Sequence, residues 1–164
     1  MISSLLALVR RVYRPRIAVL GWVGAETSED EDYRFRSIDR HPEYTTVPGL
    51  VIFRFLGELS FANASFFRDE TLRLVAESPP PAQVVLVDAS AISHLDTTAA
   101  AMLEDVLARL EAVGVRMELA RVRSSFDDAL RRTGLRQRFE PDRIHASVRI
   151  GVAAFERREG DRFR

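Results

Sequence analysis

Val84, Val85, Leu86 and Val87 form four consecutive apolar residues, mostly β-branched, that end at Asp88. A run of that kind reads as a strand buried on both faces, so it belongs in the middle of a sheet. The residues beyond Asp88 fix the chain's class. After a loop from Ala89 to Leu95, Asp96 and Thr97 open a helix with Ala100, Leu103, Val106, Leu107, Leu110 and Val113 on one stripe. Spacings of three and four make that stripe core-facing, and Gly114 stands where a helix end wants a left-handed residue. Val115, Met117 and Leu119 then alternate with Arg116, Glu118 and Ala120, the period of a strand.

The flanks extend the same βα rhythm. Leu50 to Phe55, bracketed by Gly49 and Gly57, is a strand, and Glu58 to Phe61 continues as a second short one. Asn63 is placed to accept from the free amides of the next turn. The helix that starts there carries Phe67, Leu74 and Val75 inward and stops at Pro79, Pro80 and Pro81. Ser124, Ser125, Asp127 and Asp128 cap a short helix through Arg132, with Gly134 after it. A last helix is predicted from Ile144 to Arg157, with Ile144, Val148, Val152 and Phe155 inward. Upstream, Ile17 to Leu20 suggests a strand before Gly21, and Gly24 to Pro48 a long polar connection. Alternating units of this sort predict an α/β fold: a central, mostly parallel sheet of about four to five strands, with right-handed crossovers and helices packed on it.

The 164 residues suffice for one domain and its core. The division expected is 1–15 as a linker or exit from a preceding membrane region, 16–157 as the domain, and 158–164 as a charged, frayed tail. No window approaches the ~20 apolar residues of a spanning helix. Met1 to Val9 is apolar and runs into Arg10, Arg11, Arg14 and Arg16, the wrong order for a signal peptide. It reads as the end of something hydrophobic with a basic cluster behind it, or equally as an amphipathic helix covering part of the domain.

Twenty-four basic residues balance twenty-four acidic ones, so no global field gathers nucleic acid. The absence of cysteine removes disulfides, thiolate metal sites and a cysteine nucleophile. His41, His94 and His145 lack ligand spacing, so no metal is expected. Phosphate-cradling and nucleophile-elbow motifs are missing, and the expectation is a protein without catalysis or cofactor. Asp88 and Asp96 stand at the carboxyl end of the central strand or just beyond it, the edge where open α/β sheets bind ligands. Thr97 and Thr98 fall in the next helix's first turn, where free amides and the dipole favour an anion. Asp96 is equally a simple helix cap, and either threonine a plain first-turn residue.

The stretch VVLVDASAISHLDTTAAAMLEDVLARLEAVGVRMELARV, Val84 to Val122, resembles the core of STAS domains. VPGLVIFRFLGELSFANASFF, Val47 to Phe67, resembles the branch of that family found in sulfate-permease (SulP) anion transporters. RPRIAVLGWV, Arg14 to Val23, and DRHPEYTTVPG, Asp39 to Gly49, look like the linker that joins SulP membrane regions to such domains. The resemblance implies a STAS fold and a regulatory or interaction role at the cytoplasmic face of a transporter for sulfate, bicarbonate or dicarboxylate. Its implied partners are the transmembrane region of the same protein and possible ligands, a nucleotide (GTP or ATP) or acyl carrier protein. Asp96, Thr97 and Thr98 become the candidate phosphorylation, anion or nucleotide site, and Ser93, His94 and Leu95 the candidate partner-contact loop. In the family's anti-sigma-factor antagonists the residue after the aspartate is a phosphorylated serine. Thr97 occupies that place, which gives the alternative of a soluble antagonist switched at Thr97. The glycine usual two or three residues later is replaced by Ala99 and Ala100.

Overall fold

The computed structural model describes residues 12–22, 35–38 and 44–162. The expectation for Met1 to Val9 and the position of His41 lie outside them. Six strands form one sheet in the order β2-β1-β3-β4-β5-β6: β1 Arg16–Trp22, β2 Phe35–Ser37, β3 Leu50–Leu56, β4 Val84–Asp88, β5 Arg116–Ala120 and β6 Ile144–His145. From β3 to β6 every pairing is parallel, and β1 runs antiparallel to both β2 and β3. The helices are α1 Ala64–Ala76, α2 Thr97–Ala112, α3 Ser124–Arg132 and α4 Val148–Arg162, with a 3-10 turn at Leu135–Phe139.

All five residues of β4 are buried, as its unbroken apolar run requires. Successive side chains leave a strand on opposite faces, so the apolar residues divide into two cores. One face presents Val51, Phe53, Phe55, Val85, Val87, Met117 and Leu119 to α1, α2 and α3. There the Phe67 ring of α1 meets Phe55 edge-on at 5.2 Å and Phe53 at 6.0 Å. Full burial of each such side chain contributes about 1.5–3 kcal/mol. The other face presents Leu50, Ile52, Val84 and Leu86 to Val148, Val152 and Phe155 of α4. Helices therefore cover both faces.

Several elements depart from the sequence expectation. The sheet has six strands rather than four to five, because the polar connection contributes β2 and because Ile144–His145 pairs with β5 instead of opening the last helix. Glu58 to Phe61 forms no strand; a single parallel bridge joins Leu59 to Leu95. Asn63 is the first residue before α1, yet its side chain makes no cap bond to the helix. Ser124 and Ser125 lie inside α3, whose N-cap is Arg123. Val113 is 68% exposed at the end of α2, outside the buried stripe. Glu118 alternates as expected but is fully buried, because α4 covers its face and supplies Arg158 at 2.7 Å. The chain from 158 to 162 is helical rather than frayed, tied by Arg158 to Glu118 and by Glu159 to Gln83.

Candidate functional site

The loop after β4 leaves the carboxyl edge of the sheet, where strand ends expose amides and crossovers diverge. Ala89 donates its N–H to the Ala120 carbonyl at 2.9 Å, and Ile92 turns back to the Ala89 carbonyl at 2.9 Å. Ile92 and Leu95 are buried and anchor the loop, so of the expected contact residues Leu95 turns into the core. His94 is exposed, and Ser93 is fastened to Glu58 through its N–H at 3.2 Å and its hydroxyl at 2.5 Å.

Asp96 caps α2 as its position predicts. Its Oδ1 accepts from the Ala99 N–H at 2.8 Å, and its Oδ2 accepts from the Phe61 N–H at 2.7 Å. The second bond, across 35 residues, joins the turn before α1 to the start of α2. Burial opposes ionisation of Asp96, but those backbone donors and the nearby His94 outweigh it and hold the carboxyl below its ordinary range. Thr97 and Thr98 are exposed on the first turn, while Ala99 and Ala100 are packed against the core. With Ala101, Met102 and Asp105 the two threonines line a shallow depression that also takes in Arg68 of α1. Arg68, whose guanidinium pairs with Asp69 Oδ1 at 2.8 Å and approaches Met102 Sδ at 3.5 Å, lines the same depression as the helix's first turn, where free amides favour a phosphoryl or carboxylate group. Nothing in its sequence context marks it, since only the packing of α1 on α2 brings it there.

Asp88 and Asp96 have separate partners. Asp88 is wholly buried, with Oδ2 accepting from Arg54 Nε and an Arg121 terminal nitrogen, both at 2.6 Å. Its Oδ1 accepts from Arg121 Nε at 3.0 Å and the Ser90 N–H at 3.1 Å. The Arg121 partner also reaches Ser90 Oγ at 3.0 Å. Both arginines were invisible as site residues in the sequence, because their link to Asp88 spans 34 and 33 positions.

Asn63 supplies the connection to the incoming chain. Its Nδ2 donates to the carbonyls of Val12 at 3.1 Å and Glu58 at 2.8 Å, and its Oδ1 accepts from the Ser60 N–H at 3.1 Å. Ser93, Glu58, Asn63 and Val12 are thereby linked in sequence. His145 is buried against Glu118, its Nε2 2.7 Å from Glu118 Oε2. Among the described residues no group of three or more His, Cys, Asp or Glu side chains could hold a metal ion. No helix of the described residues is long and apolar enough to cross a membrane.

The STAS domain family model matches residues 41–149. A probable sulfate transporter of Mycobacterium tuberculosis is 32% identical over 155 residues, covering 94% of this chain and 27% of the transporter. The chain thus spans about a quarter of that relative's length. The inward-facing structure of the murine solute carrier 26 family member A9 anion transporter superposes with a TM-score of 0.74 at 18% identity, over 92% of this chain and 24% of its own. The unphosphorylated anti-sigma factor antagonist SpoIIAA superposes with a TM-score of 0.55 at 15% identity, over 68% of this chain and 92% of its own. The chain belongs to the STAS domain family, of the kind found within sulfate transporters of the SulP family.

Proposed function

We propose that this STAS domain is the regulatory and interaction module of a SulP-type anion transporter, with the loop from Ala89 to Thr98 as its sensor. It works by binding rather than catalysis, at the cytoplasmic face of the membrane, and its first partner is the transmembrane region of the same protein. The observation that carries this reading is the bonded series from the loop to the incoming chain: Ser93 to Glu58, Glu58 to Asn63, Asn63 to Val12. A ligand that holds the loop in one of two arrangements transmits that preference to the segment leading from the membrane. Coupling of this kind needs only a ligand with different affinity for the two states. The α2 N-terminus with Arg68 suits the phosphates of GTP or ATP, or the phosphorylated arm of acyl carrier protein.

Titrating GTP and ATP into the chain with amide NMR as readout tests the sensor. Shifts at Thr97, Thr98 and the loop, lost in Asp96→Ala, are expected. Loop amides that stay still at millimolar nucleotide contradict the assignment. The exposed hydroxyl of Thr97 beside Arg68 favours one second reading, a partner-switching antagonist phosphorylated at Thr97. Incorporation of phosphate at Thr97 by an anti-sigma kinase, with release of that kinase, is its distinguishing result.

A further inference from the structure

Among the described residues six large apolar side chains are exposed, and four of them, Val12, Tyr13, Leu56 and Phe61, fall in two short segments that lie against each other. Asn63 Nδ2 donates to the Val12 and Glu58 carbonyls at 3.1 and 2.8 Å, Arg16 pairs in register with Leu56, and a Cβ on Gly57 would lie 2.9 Å from Pro15 Cβ. These contacts gather the four side chains at one corner of the sheet, where β1 begins and β3 ends. The fold buries Phe53, Phe55 and Phe67 a few residues away yet leaves Phe61 69% exposed, its backbone fastened by the N–H to Asp96 Oδ2 at 2.7 Å. Arg14 and Arg16 alternate with the apolar residues, are exposed, and have no carboxylate partner among the described residues. Glu58, the carboxylate of these two segments, is taken by Ser93. In the sequence Arg10 and Arg11 directly precede Val12 and add to the same positive charge. Aromatic and apolar side chains set among unpaired arginines match the interfacial layer of a bilayer, where rings sit at headgroup level and cations meet lipid phosphates.

We propose that this corner is a contact surface for anionic lipid headgroups, with Tyr13 and Phe61 entering the interfacial layer and Arg14 and Arg16 meeting the phosphates. Charge favours lipid over a second copy, because an isologous pair would set these arginines against their own equivalents. The regulatory meaning of the surface rests on the proposed function, in which the chain arrives from the membrane at Val12. Lipid seated here bears on the bonded series from Val12 through Asn63 and Glu58 to Ser93, and so biases the loop after β4.

The test is cosedimentation of the 164-residue chain with phosphatidylcholine vesicles, with and without about one-third phosphatidylglycerol, at low and high salt. Binding is expected on the anionic vesicles and is weakened by salt. At matching amide spectra, Phe61→Ser lowers the partition about fivefold, and Arg14→Gln combined with Arg16→Gln about tenfold. Val113→Ser, at a position as exposed as Phe61 but at the end of α2, changes nothing. Because Met1 to Val9 is present in every variant, binding that none of these substitutions weakens belongs to that segment and overturns the surface. Equal binding to neutral and anionic vesicles overturns it as well. A chain that ignores both vesicles, but passes from dimer to monomer on Phe61→Ser in sedimentation velocity, assigns the patch to a second copy and overturns the lipid surface. Vesicle binding with loop amides silent to nucleotide would keep the surface and defeat the sensor reading alone. A nucleotide response without vesicle binding would do the reverse.

Discussion

Burial alone would raise the Asp88 carboxyl, but hydrogen bonds from Arg121 and Arg54, together with their charges, overcome it and hold the group below the ordinary carboxylate range. Glu118 behaves in the same way: burial opposes its charge, and the His145 hydrogen bond and the Arg158 charge prevail. A carboxylate whose folded pKa is depressed adds stability above its unfolded pKa, near 4, and that stability is lost as pH falls through the lower folded value. Urea unfolding followed by the single Trp22 therefore weakens below about pH 4. Asp88→Asn leaves two half-buried guanidiniums without their counter-charge and is expected to cost about 3 kcal/mol at pH 7. It also flattens the acid limb, since one of the groups that takes up protons on unfolding is gone. A variant that matches the wild type at pH 7 contradicts this account of the cluster. At this scale the sequence marks Asp96 and Asp88 by their position after the buried run, but not the partners that define them. Arg54 and Arg121 look like ordinary surface arginines until the sheet aligns them with Asp88, and Arg68 until α1 packs on α2.

Elements were legible where one periodicity had no rival. The β4 run and the α2 stripe have the structure their patterns imply, and Gly114 takes a left-handed φ of 75°. The last third misleads because Ile144 and Val148 are four apart, a helical spacing, although Ile144 belongs to β6 and Val148 begins α4. Pairing with β5 decides that boundary, and pairing is not encoded in local spacing. Asn63 misleads for a related reason: a good capping side chain is drawn instead to the carbonyls of Val12 and Glu58. The approach of α4 to the sheet depends on Gly151, where a Cβ would lie 2.7 Å from Leu86 Cδ2 and 3.1 Å from His145 Cδ2. Gly151→Ala gains helix propensity but overpacks that contact, with an expected net loss of about 1–3 kcal/mol in chemical denaturation. Equal or greater stability would mean that α4 is not held at this distance.

For the whole molecule, the fold class follows from alternation alone, whereas the second core does not. Only the three-dimensional arrangement shows that, among the described residues, α4 is the helix that covers the face opposite α1, α2 and α3, with Arg54, Asp88 and Arg121 at the carboxyl edge of the sheet. The same arrangement brings the incoming chain at Val12 onto Asn63, 51 residues later, and through Glu58 onto the loop after β4. The regulation of a membrane region proposed for this domain depends on that linkage. Under the proposed function, the direct measurement is sulfate uptake into proteoliposomes by a SulP-type transporter bearing this domain, comparing wild type with Asn63→Asp at equal amounts of folded protein. Aspartate keeps the Oδ1 acceptor for Ser60 and loses both donors, so the loop is uncoupled from Val12. The account predicts an uptake rate changed several-fold and no longer responsive to ligands of the domain; an unchanged rate with an intact ligand response would contradict it.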